Sequence, residues 1–504
     1  MRCLYSCLRI GEPIAMSRTL QYNQIIMARQ TRREFLGTAA SVAFAAGALS
    51  LLPDFAANAA AEPTKRPNIL LFFPDEHRFD WVGTTPNLRV RTPNLDALAA
   101  RGVRFTQAVC PSPLCAPARA CLASGMEYED CRVPGNNVDY PLDEQTFYGL
   151  LRDSGYHVMG CGKFDLHKAS RGWGLDGKRS LKEWGFSDGI DNAGKNDGLG
   201  SSANGPADPY SAFLDKRGLL KTHREDFLKR KRVREAASST TPLPDDAYCD
   251  NWIANNGLKL IDNAPKAKPW FMQVNFNGPH PPWDITQSME KLYEGVDFPP
   301  PNNSGRETDK SYLGVRRNYS AMITNIDRWL GTFVETLKKR GELDNTIIVY
   351  SSDHGEMLGD RGAWGKNVPW QPSVGVPLTI AGPGVKRQAP SEALVTNMDL
   401  AATFLQYSGV PVPASMDSRS LKPLLQGKTK KHRDHVRSAL DSWRMVYDGQ
   451  YKLVLGYGRR RSEGTSQTLL FDLGKDPLEN NNLAAAKPDV VAKMSRLLDE
   501  KPGK

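Results

Sequence analysis

Residues 111–125 read PSPLCAPARACLASG, and this stretch decides how the rest of the chain is interpreted. Pro117 has a fixed φ and no N–H to lose, so it suits the first turn of a helix that ends near Gly125. Cys115 then lies at the N-terminus of that helix, where free N–H groups and the positive end of the helix dipole gather. With Arg119 turned towards the same place, the stretch predicts a binding site for an anionic ester such as a sulfate or a phosphate.

Two apolar runs elsewhere in the chain end in acidic residues. Residues 68–77 read NILLFFPDEH and residues 345–356 read NTIIVYSSDHGE, and both patterns are typical of buried parallel strands. In open α/β sheets, ligands bind at the carboxyl ends of the strands. The residues expected at those ends are Asp75, Glu76, Asp353 and His354. They are candidates for ligand binding, although an exposed acidic turn after a strand would show the same pattern.

Together these stretches resemble the type I sulfatases of the alkaline phosphatase-like superfamily. The C-x-P-S/A-R signature of that family matches residues 115–119, and residues 92–105 (TPNLDALAARGVRF) and 344–359 (DNTIIVYSSDHGEMLG) resemble further family patterns. Taken alone, Cys115 would be interpreted as a buried structural cysteine, but the other stretches favour a catalytic cysteine. The resemblance spans residues 66–500. It implies a sulfuric ester hydrolase whose cysteine is oxidised to formylglycine, a covalent catalyst in its hydrated form.

The resemblance also implies roles for individual residues. The implied catalytic residues are Cys115, Arg119, Lys163, His280, Lys366 and His167, and the implied metal ligands are Asp75, Glu76, Cys115, Asp353 and His354. Lys163 and Lys366 would contact sulfate oxygens, and His280 would protonate the leaving alcohol. Ca²⁺ is the ion usual in the family, although the imidazole of His354 would also suit Mn²⁺ or Zn²⁺.

Two of the departures from the family pattern concern the residues around the implied site. Glu76 replaces the usual second metal ligand, which is commonly Asp or Gln. The histidine that usually follows Lys163 by two residues is Asp165 here, and His167 stands two positions further on. His167 either assists sulfate release or is an isolated surface histidine, and the sequence leaves both interpretations open.

The resemblance and the strand and helix patterns predict an α/β fold. We expect a large mixed, mostly parallel sheet between helices, with a small C-terminal antiparallel-sheet subdomain. The predicted catalytic domain covers residues 66–425 and the predicted subdomain covers residues 432–504. Residues 170–245 are rich in Gly, Asn, Asp and charge, which predicts an elaborated loop region.

Residues 1–61 are predicted to be an N-terminal extension with a twin-arginine signal. The pattern is TRREFL at residues 31–36, a short apolar run to residue 52, and ANA at residues 57–59. Translation could start at Met27. The signal implies export to the periplasm or beyond, with the twin-arginine machinery and a formylglycine-generating enzyme as partners. A membrane anchor is the alternative interpretation of this segment, but its apolar run is short and ends in an alanine-rich site. No run beyond it is long and apolar enough to span a bilayer.

The formal net charge is +10, which fits an anionic substrate but is equally explained by solvated basic surface. The run at residues 229–234 (KRKRVR) is interpreted as such a surface. No nucleic-acid-binding motif is present.

Sulfated sugars, glycans or aryl sulfates are the predicted substrates. The alternatives are a phosphonate or phosphate ester hydrolase of the same superfamily, or a catalytically silent glycan-binding relative.

Overall fold

The structure is a computed structural model that describes residues 65–233, 238–305, 311–458 and 466–500. Residues Pro63–Lys504 form one compact unit. The predicted export signal, residues 1–61, lies outside the described residues. Within those ranges, no helix is both long enough and apolar enough to cross a lipid bilayer.

The structure contains thirteen strands in its described part. They are β1 (Asn68–Phe72), β2 (Val103–Phe105), β3 (Ala108–Val109), β4 (His157–Gly162), β5 (Asp188–Asp191), β6 (Trp270–Asn275), β7 (Thr346–Tyr350), β8 (Leu378–Ala381), β9 (Val395–Thr396), β10 (Val436–Leu440), β11 (Trp443–Tyr447), β12 (Tyr451–Tyr457) and β13 (Gln467–Asp472).

Fourteen α-helices accompany these strands in the same described ranges. They are α1 (Pro93–Arg101), α2 (Cys115–Ser124), α3 (Phe147–Asp153), α4 (Leu181–Trp184), α5 (Lys195–Ser201), α6 (Pro209–Lys216), α7 (Leu220–Val233), α8 (Cys249–Asn263), α9 (Gln287–Glu290), α10 (Tyr312–Lys339), α11 (Gln371–Val374), α12 (Asp399–Tyr407), α13 (Lys422–Leu425) and α14 (Pro488–Asp499).

The large sheet has seven strands in the order β2-β8-β7-β1-β6-β4-β5. The β7, β1, β6, β4 and β5 strands pair in parallel, and only the pairs of β8 with β7 and with β2 are antiparallel. A second sheet, β10-β11-β12-β13, is antiparallel throughout. This is the predicted architecture of a mixed, mostly parallel sheet followed by a C-terminal antiparallel sheet.

The large sheet is buried on both faces. Ile69 and Leu71 of β1 belong to one apolar cluster, whereas Leu70 and Phe72 belong to another on the opposite face. The first cluster includes residues of α2, α3 and α12, and the second includes residues of α8 and α10. Because both faces of β1 are covered, its sequence is continuously apolar rather than alternating.

The C-terminal sheet packs next to the loop that precedes α2. The N–H of Ala439 donates to the carbonyl of Pro111 at 3.0 Å, and the indole N–H of Trp443 donates to the carbonyl of Asn367 at 3.2 Å. Helix α14 covers the other side of this sheet with Met494 and Leu498. The small sheet therefore helps to fix both the start of α2 and the loop around residue 367.

The expectation of a loop region at residues 170–245 is wrong. This part of the chain contains β5 and helices α4 to α7. Helix α6 begins with Pro209 at its first turn and with a capping box, in which Asp208 accepts the N–H of Ser211 and the Ser211 side chain returns the bond. Such short helices depend on local capping and turns, so a search for long apolar periodicity overlooks them.

A buried ion pair joins α12 to the segment that enters the C-terminal sheet, and it gives a stability prediction. Asp399 accepts hydrogen bonds from Arg433 Nε at 2.9 Å, from His432 Nε2 at 3.0 Å and from the N–H of Arg419 at 2.8 Å. We expect Asp399→Ala to lower the free energy of unfolding by about 3–5 kcal/mol, because Arg433 would stay buried without its partner. Urea denaturation measures the change.

The matched control for this prediction is Asp434→Ala. Asp434 pairs with Lys431 on the surface, where both side chains are 78% exposed. Its removal should change stability by less than about 0.5 kcal/mol. A loss of similar size in both variants would contradict the assignment of Asp399 as a buried structural anchor.

Candidate active site

Four neighbouring strands of the large sheet deliver the candidate site. Strands β7, β1, β6 and β4 run parallel, so their carboxyl ends meet at one edge of the sheet. The side chains that follow these strands are Asp353 and His354 after β7, Asp75 and Glu76 after β1, His280 after β6, and Lys163 after β4. Helix α2 brings Cys115 to the same edge.

Cys115 is the first residue of α2 and is buried. Its Sγ lies 3.3 Å from Nε2 of His354 and 3.9 Å from Oδ1 of Asp75. Burial and the Asp75 carboxylate favour the neutral thiol, but the charges of Lys163, Lys366 and His354 outweigh them and lower the pKa of Cys115. The thiol is therefore in a place that stabilises negative charge.

Arg119, one turn further along α2, is a buried cation held between two carboxylates. Its Nε and Nη2 atoms are each 3.0 Å from Oδ2 of Asp353, and Nη2 is 3.8 Å from Oδ2 of Asp75. Burial opposes the charged form, yet Asp353 and Asp75 raise the pKa of Arg119. The guanidinium is thus fixed in position beside the thiol.

Two lysines complete the positive charge around the site. Lys163 contacts Asp75 and lies 3.0 Å from Asp165, whereas Lys366 contacts Glu76. Burial disfavours their charged forms, but Asp165 and Asp75 raise the pKa of Lys163, and Cys115 and Glu76 raise that of Lys366. The Lys163 side chain is 2% exposed and that of Lys366 is 12% exposed, so the site opens on the Lys366 side.

Carboxylate, thiol and imidazole side chains form two overlapping groups that are able to hold a cation. Within each group, one ligand atom from every residue lies within 4.8 Å of the others. One group consists of Asp75, Cys115, Asp353 and His354, and the other consists of Asp75, Glu76 and His280.

Oε1 of Glu76 is buried and has no hydrogen-bond donor among the described residues. Burial raises the pKa of Glu76 well above its usual range, Lys366 opposes this shift, and the nearby Glu356 adds to it. A divalent cation fits this donor set because it would provide a partner for the buried Oε1 of Glu76, which has none in the described part of the chain.

His280 lies at the open side of the site. Its Nε2 is 3.3 Å from Oε2 of Glu76, and its Nδ1 is 2.5 Å from the carbonyl of Pro281. An Nδ1–H that donates to Pro281 leaves Nε2 turned towards the site. Burial and the charge of Lys366 lower the pKa of His280 well below its usual range, which favours the neutral ring. Its side chain is 16% exposed, which makes it accessible to a bound ester.

His167 lies outside this network of contacts. Its Nε2 is 2.7 Å from Oδ2 of Asp191, and its ring packs edge-on against Trp173 and Trp184. The side chain is only 6% exposed, so the interpretation as a surface histidine does not hold. Asp165, at the position of the family histidine, instead bridges Lys163 and Lys168, at 3.0 and 2.8 Å.

Sequence reasoning missed a chain of polar side chains behind Arg119. Nη1 of Arg119 donates to Oδ1 of Asn275 at 3.2 Å, Nε2 of Gln273 donates to the same oxygen at 2.7 Å, and the Tyr148 hydroxyl donates to Gln273 at 2.8 Å. Residues 273 and 275 share one face of β6 because side chains alternate along a strand. Two polar residues at this spacing in an apolar strand were the available signal.

Sequence reasoning also missed two residues that position the site. Oδ1 of Asn136 accepts the N–H of Ala116 at 3.0 Å and so holds the first turn of α2. Glu356 accepts the N–H groups of Leu358 and Gly365, which fixes the loop that carries Lys366. Asn136 lies in a turn that belongs to none of the motifs quoted from the sequence, so no local pattern indicated its role.

Comparison with known proteins points to one family. Residues 67–410 match the Sulfatase family model, and residues 359–502 match the model for the C-terminal part of N-sulphoglucosamine sulphohydrolase. An arylsulfatase of Clostridium perfringens is 27% identical over 83% of this chain and 90% of its own. An N-acetylglucosamine-6-O-sulfatase of Bacteroides thetaiotaomicron is 26% identical over 88% of this chain and 87% of its own.

Solved structures share the fold. A protein in complex with its substrate D-glucosamine-2-N,6-O-disulfate superposes with a TM-score of 0.69 at 21% identity, covering 86% of this chain and 97% of its own. A phosphonate monoester hydrolase of Agrobacterium radiobacter superposes with a TM-score of 0.71 at 24% identity, covering 86% and 95%. These likenesses confirm the predicted fold class.

The Sulfatase model runs from the start of β1 to just beyond α12, and so includes every strand end that delivers the site. The match confirms the resemblance drawn from residues 66–500. The chain therefore belongs to the sulfatase family of sulfuric ester hydrolases.

Proposed function

We propose that this protein is an exported, metal-dependent sulfatase that hydrolyses the sulfate esters of sugars or glycans, with Cys115 converted to formylglycine. The observation that carries the proposal is the position of Cys115. Its Sγ is 3.3 Å from His354 in a buried site that also contains Arg119, Lys163 and Lys366. A nucleophile at a helix N-terminus among fixed cations suits an anionic ester.

The metal and the modified residue would share the chemistry with the protein's own side chains. Asp75, Glu76, Asp353 and His354 would hold a divalent cation, with Ca²⁺ as the first candidate for an oxygen-rich set. Such a cation acidifies a hydroxyl and neutralises ester oxygens, while a hydrated formylglycine offers one hydroxyl for attack and another for release of sulfate. Conversion of Cys115 requires a formylglycine-generating enzyme as a partner.

The remaining residues bind and orient the ester. Arg119 and Lys163 are buried and fixed by carboxylates, so they hold positive charge in place without reorganising during the reaction. Lys366 and His280 stand at the open side, where the leaving alcohol would lie. The negative charge of a bound ester favours protonation of His280, which then supplies the proton to the leaving oxygen.

Export is proposed from the sequence of residues 31–59, with its TRREFL and ANA motifs. The twin-arginine route carries folded proteins, so residue 115 would be modified and the metal bound before export. Sugar or glycan sulfates are favoured as substrates because a relative that matches most of this chain is named N-acetylglucosamine-6-O-sulfatase. The structure bound to D-glucosamine-2-N,6-O-disulfate points to the same substrate class.

A direct comparison of substrates tests the proposed reaction. Purified enzyme should hydrolyse aryl sulfates and a panel of sulfated sugars with a higher kcat/KM than aryl phosphate diesters or phosphonate monoesters. The phosphonate monoester hydrolase is the specific reason to include the latter, since it shares this fold at a TM-score of 0.71. If the enzyme hydrolysed the phosphorus esters with the higher kcat/KM, the proposed sulfatase activity would be wrong and the protein would be a phosphonate or phosphate ester hydrolase. Binding of sulfated sugars without any turnover would favour a silent relative.

His280 gives a prediction that depends on the leaving group. We expect His280→Ala to lower kcat by about two to four orders of magnitude on sugar sulfates, whose alkoxide leaves poorly without a proton. The loss on nitrophenyl sulfate should be much smaller, because that phenoxide leaves readily. Steady-state kinetics on both substrates measure the difference.

His167→Ala is the matched control for His280→Ala. His167 pairs with Asp191 and not with the site network, so its loss should reduce both rates by the same factor. An equal loss on both substrates for His280→Ala would reassign His280 to sulfate binding and leave the acid unidentified.

A further inference from the structure

The segment that carries His280 is rich in proline. Residues 277–284 read NGPHPPWD, so three of these eight residues have no backbone N–H to donate. With few donors of its own, the segment relies on neighbouring elements to hold its carbonyls and its side chains. The position of the His280 ring therefore depends on the contacts that neighbouring elements make before and after it.

The part of the segment before His280 is held by α8 and by the loop after β1. Oδ1 of Asp250, in the first turn of α8, accepts the N–H of Asn277 at 2.8 Å and that of Gly278 at 3.0 Å. The N–H of Asp75 donates to the carbonyl of Gly278 at 3.1 Å. These contacts fix the direction in which the chain leaves β6.

The part of the segment after His280 is held by Lys195, the first residue of α5. Its Nζ donates to Oδ1 of Asp284 at 2.7 Å and to the carbonyl of Pro282 at 3.2 Å. The side chains of Lys195 and Asp284 are 6% and 5% exposed, so the ion pair is shielded from solvent. Burial opposes the charged form of Asp284, but Lys195 lowers its pKa. The Tyr248 hydroxyl adds a bond of 3.0 Å to the carbonyl of Asp284.

The Pro281 carbonyl connects this anchor to the imidazole. Nδ1 of His280 lies 2.5 Å from that carbonyl, and Lys195 binds the next carbonyl along the chain, that of Pro282. An Nδ1–H that donates to Pro281 leaves Nε2 directed towards the site. A shift of Pro282 would therefore move the acceptor that orients the His280 ring.

The residues just before Lys195 pack on the active site. The carbonyl of Ala193 accepts a hydrogen bond from Nδ2 of Asn277 at 3.3 Å. Gly194 lies against Lys163, because a Cβ at residue 194 would be 2.8 Å from Cε of that lysine. Lys195 thus extends from a stretch of chain that contacts both Lys163 and the segment that carries His280.

We propose that Lys195 is a positioning residue for His280. Through its bonds to the segment after His280, it fixes the Pro281 carbonyl that orients the imidazole. The inference rests on the proposed sulfatase function and adds a residue to its proton-transfer step. General acid catalysis depends on placement, since a displacement of about 1 Å can lower a rate by about a hundredfold.

Steady-state kinetics of Lys195→Met on two substrates test the inference. The sugar sulfate is the one that wild-type enzyme hydrolyses fastest, and the aryl ester is nitrophenyl sulfate. We expect kcat to fall by about ten- to a hundredfold on the sugar sulfate but by about threefold or less on nitrophenyl sulfate, whose phenoxide leaves readily without a proton. KM should change by less than about twofold on both, because Lys195 lies outside the groups that bind sulfate.

A double-mutant cycle with His280→Ala separates positioning from a general loss of structure. In enzyme that already carries His280→Ala, Lys195→Met should lower kcat on the sugar sulfate by less than about twofold, because the group that it positions is absent. A purely structural role would cost the same factor in both backgrounds.

Lys452→Met is the matched control. The Lys452 side chain, in β12, is 0% exposed and pairs with Glu479 at 2.6 Å, so this variant also breaks a buried pair of a lysine and a carboxylate. It should change the rates on the two substrates by the same factor. If Lys195→Met fails to fold, the double variant Lys195→Met, Asp284→Asn removes both charges of the pair and should show the same selective loss on the sugar sulfate.

Three results would overturn the inference. They are an equal loss on both substrates for Lys195→Met, no loss on either, and an undiminished effect of Lys195→Met in the His280→Ala background. A His280→Ala variant without dependence on the leaving group would refute His280 as the acid, and the inference would be refuted with it. Wild-type enzyme that hydrolyses no sulfate ester refutes the proposed function itself. Sulfatase activity with the expected His280→Ala result, but without a selective effect of Lys195→Met, refutes only the inference.

Discussion

Cys115→Ala will abolish turnover, with kcat reduced by about six orders of magnitude, the size of loss seen when a covalent nucleophile is removed. The neighbouring cations would still bind the ester, since Arg119 is held by Asp353 and Lys163 by Asp75. Substrate binding should therefore survive while the chemical step is lost. The fold should also survive, because the substitution removes a single buried sulfur atom from the start of α2.

Kinetics and peptide mass spectrometry check this prediction together. Active wild-type enzyme should carry formylglycine at residue 115, because an unmodified thiol has no second hydroxyl with which to release sulfate. Cys121→Ala is the matched control, since Cys121 is also a buried cysteine of α2 but does not lie at the helix start. It should retain activity. A fully active preparation with only intact cysteine at residue 115 would refute the mechanism.

Four of the candidate-site residues that could be predicted from sequence occupy one kind of position. Asp75, Lys163, His280 and Asp353 follow apolar strands, and parallel strands bring their carboxyl ends together whatever the length of the connections. The pattern of a short apolar run followed by a polar residue is local. It therefore predicts both the strand and the edge of the sheet at which the polar side chain lies.

The residues that could not be predicted depend on contacts between distant parts of the chain. Asn136 holds Ala116 from a turn, Asn275 supports Arg119 from inside β6, and Asp191 pairs with His167 from the end of β5. Each contact follows from how connections fold over the sheet edge. No spacing rule within a single element specifies them, which is why the partner of His167 was absent from the sequence interpretation.

The helices of residues 170–245 show the same limit at a larger scale. A coarse pattern of glycine and charge indicated loops, whereas capping at Asp208 and packing of Leu214 and His223 produce helices α6 and α7.

Asp353→Ala will reduce kcat/KM by about three orders of magnitude or more, because this one side chain is a proposed metal ligand, pairs with Arg119 and holds the loop after β1. Its Oδ2 is 3.0 Å from both Nε and Nη2 of Arg119, and its Oδ1 accepts the N–H of Glu76 at 2.9 Å. The substitution removes a proposed ligand and leaves the buried guanidinium without its closest partner. Glu76→Gln keeps one oxygen ligand and should cost only about ten- to a hundredfold.

Chelation and metal analysis separate the role of Asp353 in metal binding from its role in holding Arg119. Metal-free wild-type enzyme should lose activity and regain it with Ca²⁺ or Mn²⁺, and the bound metal should fall in the order wild type, Glu76→Gln, Asp353→Ala. Asp353→Asn is the matched control, since the amide retains the shape and one oxygen but not the charge that pairs with Arg119. If Asp353→Asn bound metal normally yet remained as inactive as Asp353→Ala, the negative charge that Asp353 presents to Arg119 would be the essential feature. Full activity in thoroughly chelated wild-type enzyme would instead refute the ligand set, because Asp75, Glu76, Asp353 and His354 would then be an ion-pair network that neutralises the buried cations by itself.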